Sequence, residues 1–141
     1  MRIFLTAIAL AGGIALAGCV NVNDTPVNTR PTPVTAQDRG VIQSAIIDGL
    51  KDPGAAQLRN LVAYDLSDGQ GRAICGELNG KNSFGAYVGY RPFFLRVKNG
   101  AVVSNYSGGS DPNDLDTFMA QKGCREAATG QMMVAGAKGA T

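Results

Sequence analysis

The sequence predicts an α+β domain with an N-terminal helix, an antiparallel meander of four or five strands and a C-terminal helix, both helices on one face of the sheet. Three observations carry this. A helix-period apolar stripe follows a capping signature at Thr35. Short alternating segments separated by Asn, Asp and Gly turns occupy residues 58–106. A second capping signal, Asp111-Pro112, opens the last apolar-periodic stretch. The length of 141 residues suits one domain, and 19 glycines with only 17% charged residues favour a loop-rich sheet domain over a helical bundle.

The first helix is expected to start at Thr35-Ala36-Gln37-Asp38, with Asp38 reaching back to the cap. Val41, Ile42, Ala45, Ile46 and Leu50 lie on one stripe, and Asp52-Pro53-Gly54 ends the helix. Leu58 to Leu66 reads as a strand, Ser67 to Gly71 as a turn and Arg72 to Leu78 as the returning strand, with Cys75 at its middle. Asn79 to Ser83 is a loop, and Phe84 to Tyr90 a further strand. There Gly85 and Gly89 flank Tyr87 as a bare strip that suits a neighbouring helix lying close or a partner's chain docking there, with packing the favoured reading. In the next strand, Phe93, Leu95 and Val97 alternate with Phe94, Arg96 and Lys98 and imply one buried and one mostly polar face. Asn99-Gly100 suits a type I′ hairpin turn into Ala101 to Tyr106. Asp111 then caps a helix that buries Leu115, Phe118 and Met119 and ends near Gly123. The domain is thus expected over residues 35–126, with a flexible tail over 127–141.

Residues 1–18 have the form of an export leader, with Arg2 ahead of an apolar run from Ile3 to Ala17. Leu16-Ala17-Gly18-Cys19 resembles the lipobox of bacterial lipoproteins, which implies cleavage before Cys19 and acylation of that cysteine. Ala15-Leu16-Ala17 also fits an ordinary leader cleavage site. The lipoprotein resemblance implies a membrane partner through the N-terminal lipid. Val20, which is not the aspartate associated with inner-membrane retention, points to the outer membrane. Residues 19–34, rich in Asn, Thr and Pro, are expected to form a lipidated cysteine and a disordered tether. Such a tether would span about 20 Å. With Cys19 acylated, Cys75 and Cys124 remain in an oxidising compartment, and one disulfide is expected between them.

The stretch from Cys75 to Phe94 is the densest in aromatic residues and glycines. Its pattern Cys-Gly-x-x-Asn-x-Lys-Asn-x-x-Gly-x-Tyr-x-Gly-x-x-Pro-Phe, with Lys51-Asp52-Pro53 before it and Cys124 after it, resembles that of small exported bacterial proteins with no established activity. The resemblance covers Lys51 to Cys124 and implies export and the disulfide, not a function.

Lys81, Asn82, Tyr87, Tyr90 and Arg91 are the candidate ligand-binding residues, since a lysine with amides can hold a sugar or a carboxylate. The same residues have an ordinary structural reading, Asn82 bonding its own loop and the tyrosines serving the sheet. No catalytic residue is assigned. Asp65, Asp68 and Glu77 could supply a carboxylate pair for glycan cleavage, but nothing in the sequence brings them together. The serines lack a histidine partner in a chain with no histidine at all. That lack argues against a metal site, and no phosphate-loop or dinucleotide spacing suggests a cofactor. The net charge of +2, or +1 without Arg2, leaves no footprint for nucleic acid. Two classes of function follow. One is a non-enzymatic cell-envelope lipoprotein that binds an envelope protein or the cell wall, or serves as a structural module. The other is a small periplasm-facing hydrolase or enzyme inhibitor with an atypical site.

Overall fold

The computed structural model describes residues 24–109 and 111–135. The leader and Cys19 lie outside them. The architecture is α+β, with a six-stranded antiparallel sheet ordered β5-β4-β3-β2-β1-β6 and two helices. The elements are β1 (Asp24–Thr32), α1 (Ala36–Ala45), β2 (Gln57–Leu66), β3 (Gly71–Asn79), β4 (Arg91–Lys98), β5 (Ala101–Ser107), α2 (Leu115–Ala128) and β6 (Gln131–Ala135). Short 3-10 turns at Ile47–Gly49 and Pro53–Ala55 link α1 to β2.

Much of the local chemistry acts as the residue types dictate. Thr35 and Asp38 close a reciprocal capping box, Asp38 N donating to Thr35 Oγ1 at 3.1 Å and Thr35 N donating to Asp38 Oδ2 at 2.7 Å. Asn99 and Gly100 take φ of +52° and +77°, the pair of positive values a type I′ turn needs. Of the expected stripe, Ile42 is buried against Ile74, Phe93 and Leu95 with Val41, Ala45, Ile46 and Leu50 partly buried beside it, but α1 ends at Ala45 instead of reaching Asp52, and the 3-10 turn that follows buries Ile47, which lies off the stripe.

The helix arrangement is not the expected one, because α1 and α2 cover opposite faces of the sheet. Ile74, Phe93 and Leu95 face α1, while Ala73, Cys75 and Phe94 pack with Ala120 and Ala127 of α2. Hence Phe93, Phe94 and Leu95 are buried in succession, and β4 is a central strand covered on both sides rather than one with a polar outer face. The sheet curls about α2, which contacts β1, β3, β4, β5 and β6.

Two segments expected to be unstructured are strands. Residues 24–32 of the supposed tether form β1, whose first half pairs with β6 (Val27 opposite Met132) and whose second half pairs with β2 (Pro31 opposite Tyr64). Each half therefore keeps one side without a ladder partner, which is where Pro26 and Pro31 can be accommodated. One inward residue, Val27, anchors β1 to the core. The supposed flexible tail from Ala127 completes α2 and then forms β6, with Met132 and Val134 buried and Gln131, Met133 and Ala135 exposed.

The second helix is shifted by three residues from the expected start. Asp114 is the cap, accepting from Thr117 N at 2.6 Å and from Gly109 N at 2.8 Å. Leu115 and Phe118 are 71% and 54% exposed, and the face against the sheet is made by Thr117, Ala120, Gly123, Cys124 and Ala127. Close approach explains the reversal. A Cβ on Gly123 would come within 2.8 Å of the Phe94 ring, so large side chains have no room there.

Cys124, one turn into this contact, is disulfide-bonded to Cys75 of β3, with the two Cα atoms 5.8 Å apart. Replacing both cysteines with serine should cost about 2–4 kcal/mol, read as a lower urea midpoint. Two alkylatable thiols at these positions in the native, non-reduced protein would exclude the bond.

Candidate functional site

The expected strand from Phe84 to Tyr90 is a long loop between β3 and β4, and its only ladder element is an isolated bridge of Lys81 with Tyr87. Gly85 and Gly89 have φ of +79° and +95°, which an extended strand cannot contain, and a Cβ on either would meet nothing within 4 Å. They therefore serve backbone turns, not the close packing of a neighbour.

Asn82 organises the loop. Its Oδ1 accepts from Phe84 N at 2.9 Å and from Ala86 N at 3.1 Å, and its backbone N–H donates to Ala86 O at 2.8 Å. The loop base is held by Val88 N donating to Gly80 O and by Gly89 N donating to the buried Asn79 at Oδ1. Side chains fix it to the segment after α1. Tyr87 donates its hydroxyl to Ala55 O at 3.0 Å, Lys51 reaches Ser83 Oγ, and Lys81 lies 3.6 Å from Asp52 and 5.4 Å from the centre of the Tyr87 ring. On this restrained scaffold Phe84 is 94% exposed.

A pocket of roughly 220 Å³ opens between this loop and the start of β4. Its apolar wall includes Leu78, Val88 and Phe93, and Lys81, Asn82 and Arg91 contribute the polar groups. Three of the five candidate residues thus share one cavity. Tyr87 stands beside Lys81 outside its lining, and Tyr90 belongs to a separate group. There the Arg59 guanidinium stacks 3.8 Å from the Tyr90 ring centre while pairing with both oxygens of Glu77 at 2.9 and 3.1 Å. The apolar wall escapes sequence reasoning because Leu78 and Phe93 look like ordinary strand residues. Only their position at the two ends of one loop could have suggested a shared cavity.

The electrostatics of the pocket lean positive. Among the described residues Arg91 makes no side-chain hydrogen bond or ion pair. Its charge reaches Asp114, whose carboxyl is held below its ordinary pKa chiefly by the Thr117 backbone N–H and in smaller part by Arg91. The carboxylates considered for glycan cleavage have other partners. Asp65 pairs with Arg72 at 2.5 Å, Asp68 accepts from Ser67 Oγ at 2.8 Å, and the hydrogen bonds from Arg59 lower the pKa of Glu77. Among the described residues no cluster of three or more His, Cys, Asp or Glu side chains could hold a metal ion, and no helix is long and apolar enough to cross a membrane. No family model matches the chain, and no curated protein or solved structure matches it.

Proposed function

We propose that this protein is a non-enzymatic lipoprotein of the cell envelope, anchored to the outer membrane through Cys19, and that it works as a binding module with the Gly80–Tyr90 loop as its recognition element. The observation that carries the reading is Phe84, 94% exposed at the tip of a loop whose backbone Asn82 fixes through both side chain and main chain. A fully solvated aromatic contributes nothing to the core, and rigid presentation lowers the entropy lost on docking. An aromatic anchor of that kind is typical of an interface hot spot. The loop's cationic flank, Lys51 and Lys81, suits a partner with acidic or carboxylate groups.

The test is photo-crosslinking in intact cells from a photoreactive residue at position 84, compared with one at the exposed Gln43 on α1. A discrete, competable adduct from position 84 alone is the expected result. Equal, diffuse labelling from both positions would sink the binding-module reading. Acyl mass on Cys19 should accompany the membrane fraction, and a soluble wild-type protein without it would remove the anchor.

A further inference from the structure

We propose that the pocket between the Gly80–Tyr90 loop and β4 receives the carboxy-terminus of a short peptide, its terminal carboxylate on Arg91 and Lys81 and its small apolar side chains against Leu78, Val88 and Phe93. The inference rests on the reading of this loop as a recognition element and gives that site a ligand class.

Charge decides the anionic end. Arg91 and Lys81 line one cavity, Arg91 makes no close ion pair among the described residues and acts on Asp114 only at longer range, and Lys81 has a half-exposed Asp52 at 3.6 Å. A guanidinium offers paired donors in a fork that matches a carboxylate. Burial of its surroundings makes the match stronger, because Phe93 at the back of the pocket is 1% exposed and contributes a low-dielectric wall.

Size and the remaining polar group choose the rest of the ligand. A cavity of roughly 220 Å³ is below that of drug-sized sites and admits a terminal residue or two, not a folded partner. Asn82 has both Oδ1 valences on its own loop, at Phe84 N and Ala86 N, while its Nδ2 has no hydrogen-bond partner among the described residues. That N–H group is fixed in place and suits a peptide carbonyl, which a simple branched-chain acid would lack. Carboxylate, carbonyl and a small apolar side chain together describe a peptide end.

Titration of the ¹⁵N-labelled protein with N-acetyl-alanyl-alanine, with its C-terminal amide and with isovalerate tests the assignment. The free acid should saturably shift the amides of Leu78, Val88 and Phe93, and the amide analogue should bind about tenfold more weakly or worse. Arg91→Gln should weaken the acid by about tenfold while its melting temperature stays close to the wild-type value, since the side chain makes no hydrogen bond or close ion pair among the described residues and gives up only its longer-range attraction to Asp114. Equal binding of acid and amide, or an Arg91→Gln variant that binds as the wild type does, overturns the carboxylate. Isovalerate binding as tightly as the acetylated dipeptide overturns the peptide. Absence of any saturable shift by about 10 mM overturns the pocket. If position 84 still yields its adduct in that case, the binding-module reading survives and only the pocket assignment falls; if neither is seen, both fall.

Discussion

Arg72→Met should lower stability by about 3 kcal/mol at neutral pH, among the largest losses available to a single side-chain change in this protein. The guanidinium joins four segments. It donates to Asp38 Oδ1 and Oδ2 at 2.8 Å each, to Asp65 Oδ1 at 2.5 Å, to Thr32 Oγ1 at 2.6 Å and to Pro33 O, tying the end of β1 and the first turn of α1 to the hairpin of β2 and β3. Asp38 is 4% exposed, so removing Arg72 leaves a buried carboxylate without its counter-charge. Burial by itself raises the pKa of Asp38, but the bonds from Arg72 and Thr35 together with the charge of Arg72 outweigh it and leave the pKa lowered. A lowered carboxylate pKa contributes stability that is fully present above the unfolded value of about 4 and is lost as the pH falls through the folded value. The wild type should therefore lose its advantage over Arg72→Met as melts are repeated from pH 7 down to about pH 3. Equal urea midpoints at pH 7 would show that the cluster adds nothing.

Gly71→Ala should be at least as severe, about 3 kcal/mol or more, and for a different reason. Gly71 has a φ of +91°, and a Cβ there would lie 2.0 Å from Val97 O and 2.9 Å from Val97 C. Both are backbone atoms of the neighbouring strand, so the start of β3 would have to part from β4. Gly85→Ala is the control. Its φ of +79° is unfavourable too, but nothing lies within 4 Å, and the loss should stay near 1 kcal/mol. Denaturant midpoints of the two variants separate the contributions, and equal losses would show that backbone strain alone acts at both positions.

What could be read from the sequence was whatever short-range chemistry decides. The capping box at Thr35, the Asn99-Gly100 turn, the Ile42 stripe and the strands around Cys75 each depend on residues a few positions apart. The misread parts depend on distant partners. Asp24–Thr32 carries too little apolar surface to order itself, and becomes a strand because β6, 105 positions away at the Val27–Met132 pair, and β2 receive it. The sequence pattern points to the exposed face of α2 as the buried one because large apolar residues usually mark the core, whereas here a close helix-to-sheet contact selects Ala120, Gly123 and Cys124. Within the candidate site, Asn82 is legible as loop chemistry, whereas Gly85 and Gly89 fit a strand pattern and only their positive φ values reveal turns. The cavity was not, since it exists only where the loop folds back over the start of β4.

The placement of β1 has a mechanical consequence. In the lipid-anchored reading, only five positions separate Cys19 from Asp24, the first residue of β1, so the fully extended reach is at most about 18 Å. The domain would then ride close to the bilayer, within reach of ligands at the membrane surface. Any pull on the anchor would enter the domain along β1, whose hydrogen bonds to β6 and β2 run across the strand. Load applied along that axis shears those bonds together instead of unzipping them one at a time, so the strand that holds the sheet's last partner is also the one that would resist extraction.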